Sequence, residues 1–249
     1  MAYTRRNFAK NIVAATTAFS LPAFAKAGTG NKMKKLKIVC VGGHPDDPES
    51  GCGGTLALLA AEGHDVTIIY LTSGEAGIHG KSFAEAASIR TKEAIAACKI
   101  LNAKPVFAGQ VDSEGTVNNE WVKKIQALIS NEDPQIVFTH WPLDSHKDHQ
   151  SASLLTIQSW VQTGKKFELY FFEVCTGAQT MGFKPTDYVD ITTTKEQKKN
   201  ALFCHTSQNP PGIYAASDCN HGMMELFRGI EINVPAAEAF VRMGTALSW

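Results

Sequence analysis

Residues 36–54 read LKIVCVGGHPDDPESGCGG, and this stretch decides the fold that the rest of the chain is expected to adopt. Leu36–Val41 has the length and apolar character of a buried strand, and an Ala- and Leu-rich run after the turn is typical of a helix. A histidine and two adjacent aspartates, His44, Asp46 and Asp47, therefore lie in the turn between a strand and a helix. Such turns lie at the carboxyl edge of a parallel sheet, where open α/β folds bind ligands. Because adjacent carboxylates repel each other, the turn favours a metal site; aspartates that cap the following helix are the alternative.

The rest of the chain alternates predicted strands with predicted helices. After the first strand, strands are predicted at residues 65–71, 104–108, 135–139 and 167–174, and helices at residues 53–62, 82–101, 119–130 and 150–162. This alternation predicts βαβ units, and hence a Rossmann-like α/β fold with a mostly parallel sheet and helices on both faces. A further strand at residues 188–191 and a helix at residues 195–204 are expected, and roughly the last forty residues are unassigned. Only one core is implied, so we expect a single domain over residues 36–249.

A second group of chemically active side chains follows the fourth predicted strand. His146, Asp148 and His149 come shortly after residues 135–139. In the doubly wound strand order 3-2-1-4-5 the first and fourth strands are neighbours, so their carboxyl ends flank one crevice. The turn at residues 44–47 and this second group are thus expected to form one active site. Two histidines with one carboxylate suit zinc and equally non-haem iron, and spacing alone does not decide which residues ligate.

The N-terminus differs in kind from the rest of the chain. A basic segment with paired arginines, Arg5 and Arg6, precedes a mildly apolar stretch, residues 12–24, which is too short to span a bilayer comfortably. Small residues at its end resemble a signal-peptidase site. We interpret residues 1–25 as a twin-arginine-type signal peptide and residues 26–35 as a linker. This predicts use of the export machinery and a periplasmic or extracellular location; a membrane anchor or a disordered leader is the alternative.

Composition argues against several classes of partner. The formal net charge is zero and there is no long basic run, so neither nucleic acid nor an anionic membrane surface is an expected partner. The six cysteines include no C-x-x-C pair, so a zinc ribbon or a redox motif is not expected. In an oxidising compartment Cys204 and Cys219 could form a disulfide bond, a point that the sequence leaves open.

The motifs above, with others further along the chain, resemble those of the LmbE/PIG-L family of zinc-dependent N-deacetylases. The similar stretches, in the family's order and spacing, are His44–Glu49, Gly53–Ala57, Leu71–Gly77, His146–His149 and His205–Gln208, with Glu238 and Phe240 near the end. Each motif alone is modest, but together they are specific, and they extend from about Leu36 to the C-terminus. The resemblance implies hydrolysis of an N-acetyl group from a substrate that bears an acetamido group, commonly an N-acetylglucosamine-type sugar or glycoconjugate.

Carried over by position, the resemblance implies a role for each residue of the two loops. Zinc would be bound by His44, Asp47 and His149, with Fe²⁺ or another divalent metal as the alternative. Asp46 would be the general base that activates the attacking water. His146 would be the general acid that also steadies the oxyanion.

Three further residues would support this chemistry. Asp148 would set the protonation of His146. Arg90 matches the family arginine that contacts substrate oxygens, although pairing with a glutamate of its own helix is the alternative. Trp141 is a candidate for stacking on a sugar ring. Ser73 and Trp141 depart from the family pattern near the expected mouth of the site, so the identity of the substrate stays open.

Other functions use similar residues. A non-haem iron oxygenase could use the same two-His-one-carboxylate set, but the βαβ pattern is unlike the all-β pattern that we associate with this chemistry. A metal-dependent phosphoesterase would need more carboxylates to bridge two metal ions. A non-catalytic metal- or sugar-binding protein is a third alternative. Outside the proposed site, His140 and His205 are expected to be structural, and Glu49 to hold its turn.

Overall fold

Seven strands form one sheet in the computed structural model, which describes residues 35–174, 179–215 and 220–244. They are β1 (Lys37–Gly42), β2 (Asp65–Thr72), β3 (Ala103–Gln110), β4 (Ile136–His140), β5 (Glu168–Phe172), β6 (Asp187–Asp190) and β7 (Ala237–Arg242). The strand order is β3-β2-β1-β4-β5-β7-β6. The first five strands pair in parallel, and β7 is antiparallel to both of its neighbours. The predicted Rossmann-like fold and the order 3-2-1-4-5 are confirmed.

Helices cover both faces of the sheet. The helices of the described residues are α1 (Asp47–Ala61), α2 (Phe83–Leu101), α3 (Asn119–Glu132), α4 (Lys147–Gln162), α5 (Lys195–Leu202), α6 (Pro210–Ala215) and α7 (His221–Ile232). Side chains of β1 alternate between two cores because successive residues of a strand point to opposite faces. Ile38 and Cys40 pack with α1, α2 and α5, whereas Val39 and Val41 pack with α3 and α4. None of the described helices is long and apolar enough to cross a membrane.

Helix α1 begins at Asp47, although the sequence predicts it at residues 53–62. Its Pro- and Gly-rich first turns have the composition of a loop, but proline is well tolerated at the start of a helix. The backbone is non-helical at Cys52, where φ is −146°. Glu238 of β7 caps the part after this kink, because its carboxylate oxygens accept hydrogen bonds of 3.0 and 2.7 Å from the amides of residues 54–55. The helix predicted at residues 53–62 therefore corresponds to the part of α1 after the kink, and residues 47–51 form an additional turn before it.

The C-terminal part of the chain completes the sheet. Strand β7 pairs with β5 and β6, and helix α7 packs beside it. The proposed signal peptide, all of the proposed linker except Lys35, and Cys219 lie outside the described residues. The interpretations of these segments therefore stay predictions.

Candidate metal centre

The expected site lies where β1 and β4 end side by side. These strands pair in parallel from Ile38 opposite Ile136 to Val41 opposite Thr139, so the loops that follow them meet at one sheet edge. A cavity of about 350 Å³ opens there. Six of the predicted site residues line it: His44, Asp46, Asp47, Arg90, His146 and His149. The sequence thus predicted the region of the cavity, which also lies at the switch point of the sheet.

The turn after β1 is closed by its own side chains. Asp47 Oδ2 accepts a 2.7 Å hydrogen bond from the backbone amide of His44. Asp46 has φ of 108°, a conformation that is costly for a residue with a side chain. Arg90 holds the strained turn through a 2.5 Å bond from Nη2 to the carbonyl of Pro45. The Asp46 side chain makes no capping bond to α1, so the helix-capping alternative is wrong for this residue.

The carboxylate of Asp47 is the point where the two loops meet. Its Oδ2 lies 3.1 Å from His44 Nδ1, 3.2 Å from His149 Nε2 and 3.4 Å from His140 Nε2. His140 Nε2 already accepts a 2.9 Å bond from the amide of Gly43, so its lone pair is in use. Burial, with the nearby charge of His149, lowers the pKa of His140 to about 4, so this ring is neutral. His44 and His149 are therefore the better metal ligands.

His149 is oriented by a carboxylate that the sequence analysis missed. Its Nδ1 lies 3.2 Å from Oδ1 of Asp144, which is buried and also accepts a 2.8 Å bond from the amide of His146. A carboxylate behind a histidine fixes the ring so that Nε2 faces a metal ion. Burial lowers the pKa of His149, but the charge of Asp47 and the bonds to Asp144 and Asp47 raise it to about 9. Only the proximity of Asp144 to the His146 motif could have indicated this role.

The second nitrogen of His44 contacts two further carboxylates. Nε2 lies 3.0 Å from Asp148 Oδ2 and 3.2 Å from Asp112 Oδ1. Asp148 Oδ2 also accepts a 2.7 Å bond from the amide of Ser113. His146, the N-cap of α4, touches Asp148 only through the backbone, because its Nδ1 accepts a 3.2 Å bond from the Asp148 amide. This corrects the expected pairing: the Asp148 carboxylate contacts His44 and not His146.

The charge balance of the cluster fits a bound cation. Four buried carboxylates lie within 3.2 Å of the rings of His44 and His149, those of Asp47, Asp112, Asp144 and Asp148. Arg90 is the one buried guanidinium that lines the cavity among the described residues. Buried carboxylates need nearby positive charge, and histidine and aspartate are common ligands of zinc. Ligand atoms lie within 4.8 Å of one another in the set His44, His146 and His149 and in the set Asp47, His140 and His149, so this cluster fits a divalent metal ion.

Asp46 lies beside this donor set, and its carboxylate forms an ion pair with Arg90. Its Oδ2 is 3.3 Å from Arg90 Nη2. Burial raises the pKa of Asp46 to about 6; Arg90 opposes this shift and Asp47 adds to it. A carboxylate with a pKa close to neutral suits general base catalysis. Arg90 also packs over Gly74, whose φ is 71° and where an added Cβ would clash with Nη1, so this loop favours glycine.

Comparison with known proteins identifies the family. The family profile described as "PIG-L: GlcNAc-PI de-N-acetylase" matches residues 39–160. A diacetylchitobiose deacetylase from Thermococcus kodakarensis is 32% identical over 192 residues, which cover 72% of this chain and 72% of that protein. The chain belongs to the PIG-L family. The resemblance predicted from the motifs is therefore confirmed.

Other relatives of this PIG-L protein show the range of the fold. The solved structure of N,N'-diacetylchitobiose deacetylase from Pyrococcus horikoshii has a TM-score of 0.75 and 25% identity, and the match covers 98% of this chain and 94% of that one. A 4-oxalmesaconate hydratase from Pseudomonas putida is 25% identical over 197 residues, which cover 72% of this chain and 76% of that protein. The deacetylases among the relatives support an N-deacetylase, and the described residues hold a possible His/Asp metal site.

Behind Asp46, this PIG-L protein has a buried pair that holds the first turn of α1. Glu49 Oε1 accepts a 2.5 Å bond from the hydroxyl of Tyr70 and lies 3.3 Å from His205 Nε2. All three side chains are fully buried. Glu49 and His205 thus hold this turn in place, as the sequence analysis expected. The next residues, Thr206 and Ser207, bind Glu93, so Glu93 is not the partner of Arg90.

Trp141 is not placed at the cavity. Its indole Nε1 donates a 2.9 Å bond to the carbonyl of Met181, and its ring packs edge-on against Phe171 and Phe183. It is absent from the cavity lining in the described residues. The expected stacking of Trp141 on a sugar ring is therefore not supported by its position.

Proposed function

We propose that this PIG-L protein is an exported, zinc-dependent N-deacetylase that hydrolyses the acetamide of an N-acetylglucosamine-type sugar or glycoconjugate. The observation that carries the proposal is one cavity that brings together a His/Asp donor set, a carboxylate of raised pKa and a partly buried histidine. The relatives named diacetylchitobiose deacetylase support the substrate class. A cavity of about 350 Å³ lies within the range typical of small-ligand sites.

His44, Asp47 and His149 would hold the metal ion. Asp144 would orient His149, and the crowding of ring nitrogens around Asp47 Oδ2 supports this set over one that includes His140. When bound, zinc supplies Lewis acidity, which polarises the amide carbonyl and lowers the pKa of a water molecule.

Asp46 would take the proton from the attacking water. The guanidinium of Arg90, 3.3 Å from Asp46 Oδ2, favours the ionised carboxylate that a base requires and fixes its position. Arg90 also lines the cavity, where it would meet the substrate oxygens that the family resemblance implies for it. This arrangement supports Arg90 as both a positioning residue for the base and a substrate contact.

His146 would protonate the leaving nitrogen. Its Nδ1 accepts a hydrogen bond from the Asp148 amide, so the neutral ring carries its proton on Nε2. Burial, together with the charges of His44 and His149, lowers the pKa of His146. To act as the acid, the ring would first gain a second proton, which Asp46 would return from the attacking water; the imidazolium would then give a proton to the amide nitrogen as the C–N bond breaks. The products are acetate and a free amine, and Asp46 and His146 regain their starting forms. The carboxylate of Asp148 is bonded to His44 and would act directly on that metal ligand. It would influence His146 only through its charge.

The test of the proposal is release of acetate by the zinc-loaded protein. We expect release from N-acetylglucosamine, N,N'-diacetylchitobiose or a larger N-acetylated glycan, and loss of that activity after chelation. Because a hydratase is among the relatives, 4-oxalmesaconate is assayed in parallel. Hydration without acetate release, or oxygen consumption by an iron-loaded sample, would contradict the proposal.

The export route is tested separately. Only the sequence of residues 1–25 supports it, through the paired arginines and the apolar stretch. An Arg5→Lys/Arg6→Lys double variant should remain in the cytoplasm, whereas the native chain should be found in the periplasm or medium. Export of the double variant would contradict twin-arginine-dependent transport without affecting the catalytic proposal.

A further inference from the structure

Helix α7 has its polar face buried and its apolar face exposed. The buried residues of this helix include His221, Glu225 and Arg228. Its exposed large side chains are apolar: Met223 is 60% exposed, Leu226 44%, Phe227 54% and Ile230 76%. A surface helix normally turns its apolar stripe toward the core, so this arrangement is the reverse of the usual one. An exposed apolar stripe of this kind marks a surface that another molecule covers.

Charged contacts fix the orientation of α7. Arg228 donates bonds of 2.6 and 2.8 Å to the two carboxylate oxygens of Glu173. Glu225 accepts a 2.6 Å bond from the Tyr214 hydroxyl and lies 3.3 Å from Lys195 Nζ. Rotation of the helix to bury its apolar face would break a bidentate ion pair and leave buried charges without partners, which is strongly unfavourable. The ion pairs and hydrogen bonds of Arg228 and Glu225 therefore hold the apolar stripe of α7 toward solvent.

The spacing of the stripe suits another helix. Met223, Leu226 and Ile230 are separated by three and four residues, the interval of the contact positions in paired helices, and Phe227 lies beside them. The helix has twelve residues and so presents a ridge about 18 Å long. The same ridge on a second copy of α7 would supply a matching row of apolar side chains.

The charges of α7 favour a second copy over a lipid surface. Five residues of α7 are exposed: the four apolar ones and Glu231. The carboxylate of Glu231 is 2.8 Å from Arg228 Nη1. Interfacial helices that bind anionic lipid carry exposed Lys or Arg, whereas the arginine of this helix is buried and paired. In an antiparallel pair, each Glu231 would lie near the N-terminus of the other helix, where a carboxylate is favoured, and the two glutamates would be far apart.

We propose that α7 is the self-association surface of this protein, and that two copies pack their Met223, Leu226, Phe227 and Ile230 stripes antiparallel across a twofold axis. Such an interface is self-complementary, because each stripe meets its own copy. The helix starts at His221, which lines the catalytic cavity, so the dimer would place each interface beside an active site.

The experiment measures the oligomeric state of the purified protein by sedimentation velocity over a range of concentrations. Wild-type protein should be dimeric, and Ile230→Glu or Phe227→Lys should weaken dimerisation at least ~100-fold, because each change acts twice in a twofold interface. Val161→Glu on α4 is the matched control, since Val161 is also apolar and 50% exposed. At concentrations below those at which the wild type dimerises, thermal unfolding should be similar for all variants because the altered side chains are exposed.

A cross-linking measurement tests the geometry. Phe227→Cys should give disulfide-linked dimers under mild oxidation with copper phenanthroline, whereas Val161→Cys should not. A monomeric wild type at all concentrations, or equal weakening by Val161→Glu, would overturn the proposal. Flotation of monomeric protein with vesicles of phosphatidylethanolamine and phosphatidylglycerol, lost in Ile230→Glu, would assign the stripe to lipid and would likewise overturn it.

Discussion

Asp144→Asn is the substitution that most sharply separates orientation of a metal ligand from overall folding. Asp144 Oδ1 lies 3.2 Å from His149 Nδ1 and accepts a 2.8 Å bond from the His146 amide, while Oδ2 is 3.2 Å from the Thr180 hydroxyl. Asparagine keeps the size and one carbonyl oxygen, so the bond from the His146 amide can persist. The variant removes the negative charge that favours Nδ1–H on His149 and makes Nε2 a better ligand.

The expected effect is a loss of zinc affinity of about 10–100-fold, the usual result of removing such a carboxylate. Competition with a chromophoric chelator measures this affinity directly and needs no substrate. Asp65→Asn is the control, because the Asp65 side chain is 58% exposed and pairs with Lys35 at the surface. If the zinc affinity of Asp144→Asn stays within a few-fold of wild type while the protein folds normally, the assignment of His149 as an oriented ligand is refuted.

Three further perturbations test other parts of the site. Asp46→Asn should keep zinc, as measured by metal analysis, and lose about 10²–10⁴-fold in turnover, because a general base is removed. Gly74→Ala should lower the free energy of unfolding by roughly 1–3 kcal/mol, measured in urea, since φ is 71° and the new Cβ would meet Arg90; unchanged stability would count against this packing. Burial lowers the pKa of His205, but the Glu49 carboxylate outweighs burial and raises it above the ordinary value of 6.5. The stability from this pair is therefore fully present below pH 6.5 and lost as pH rises through the folded pKa, so urea titrations of His205→Gln should show less of that decline than wild type.

The order of the central strands could be predicted because each is an apolar run with a clear boundary. Leu36–Val41 and residues 135–139 are mainly apolar segments, and the doubly wound order that brings them together is a general rule for such chains. The predicted meeting of the two His/Asp loops followed from this order alone. By contrast, no local pattern indicates that Glu238, so distant in the chain, caps the part of α1 after the kink at Cys52.

The contacts of Asp112 and Asp148 with His44 could not be predicted for the same reason. Asp112 lies in a loop after β3 with no motif around it, yet its carboxylate is 3.2 Å from His44 Nε2. Asp148 belonged to a recognisable motif, but its partner proved to be His44, because His146 caps α4 and its ring contacts the backbone. Contacts between side chains of separate loops depend on rotamers, which hydrophobic patterning does not specify.

Helix α7 shows another limit of sequence patterning. Its apolar residues have helical spacing, so an analysis from sequence would place them against the core. The structure buries Glu225 and Arg228 instead, because partners on α5 and after β5 neutralise them. Periodicity shows that a helix has an apolar face, but the charges of the neighbouring elements decide where that face points.

The most direct measurement of the central claim is acetate release from N,N'-diacetylchitobiose by metal-free protein as zinc is added. If His44, Asp47 and His149 hold a single catalytic ion, acetate release should rise from the background level and reach a plateau at one equivalent of zinc. The His44→Ala variant should bind little zinc and stay near background. Acetate release of equal rate without metal, or a zinc-loaded protein that releases no acetate from any N-acetylated sugar, would contradict the claim.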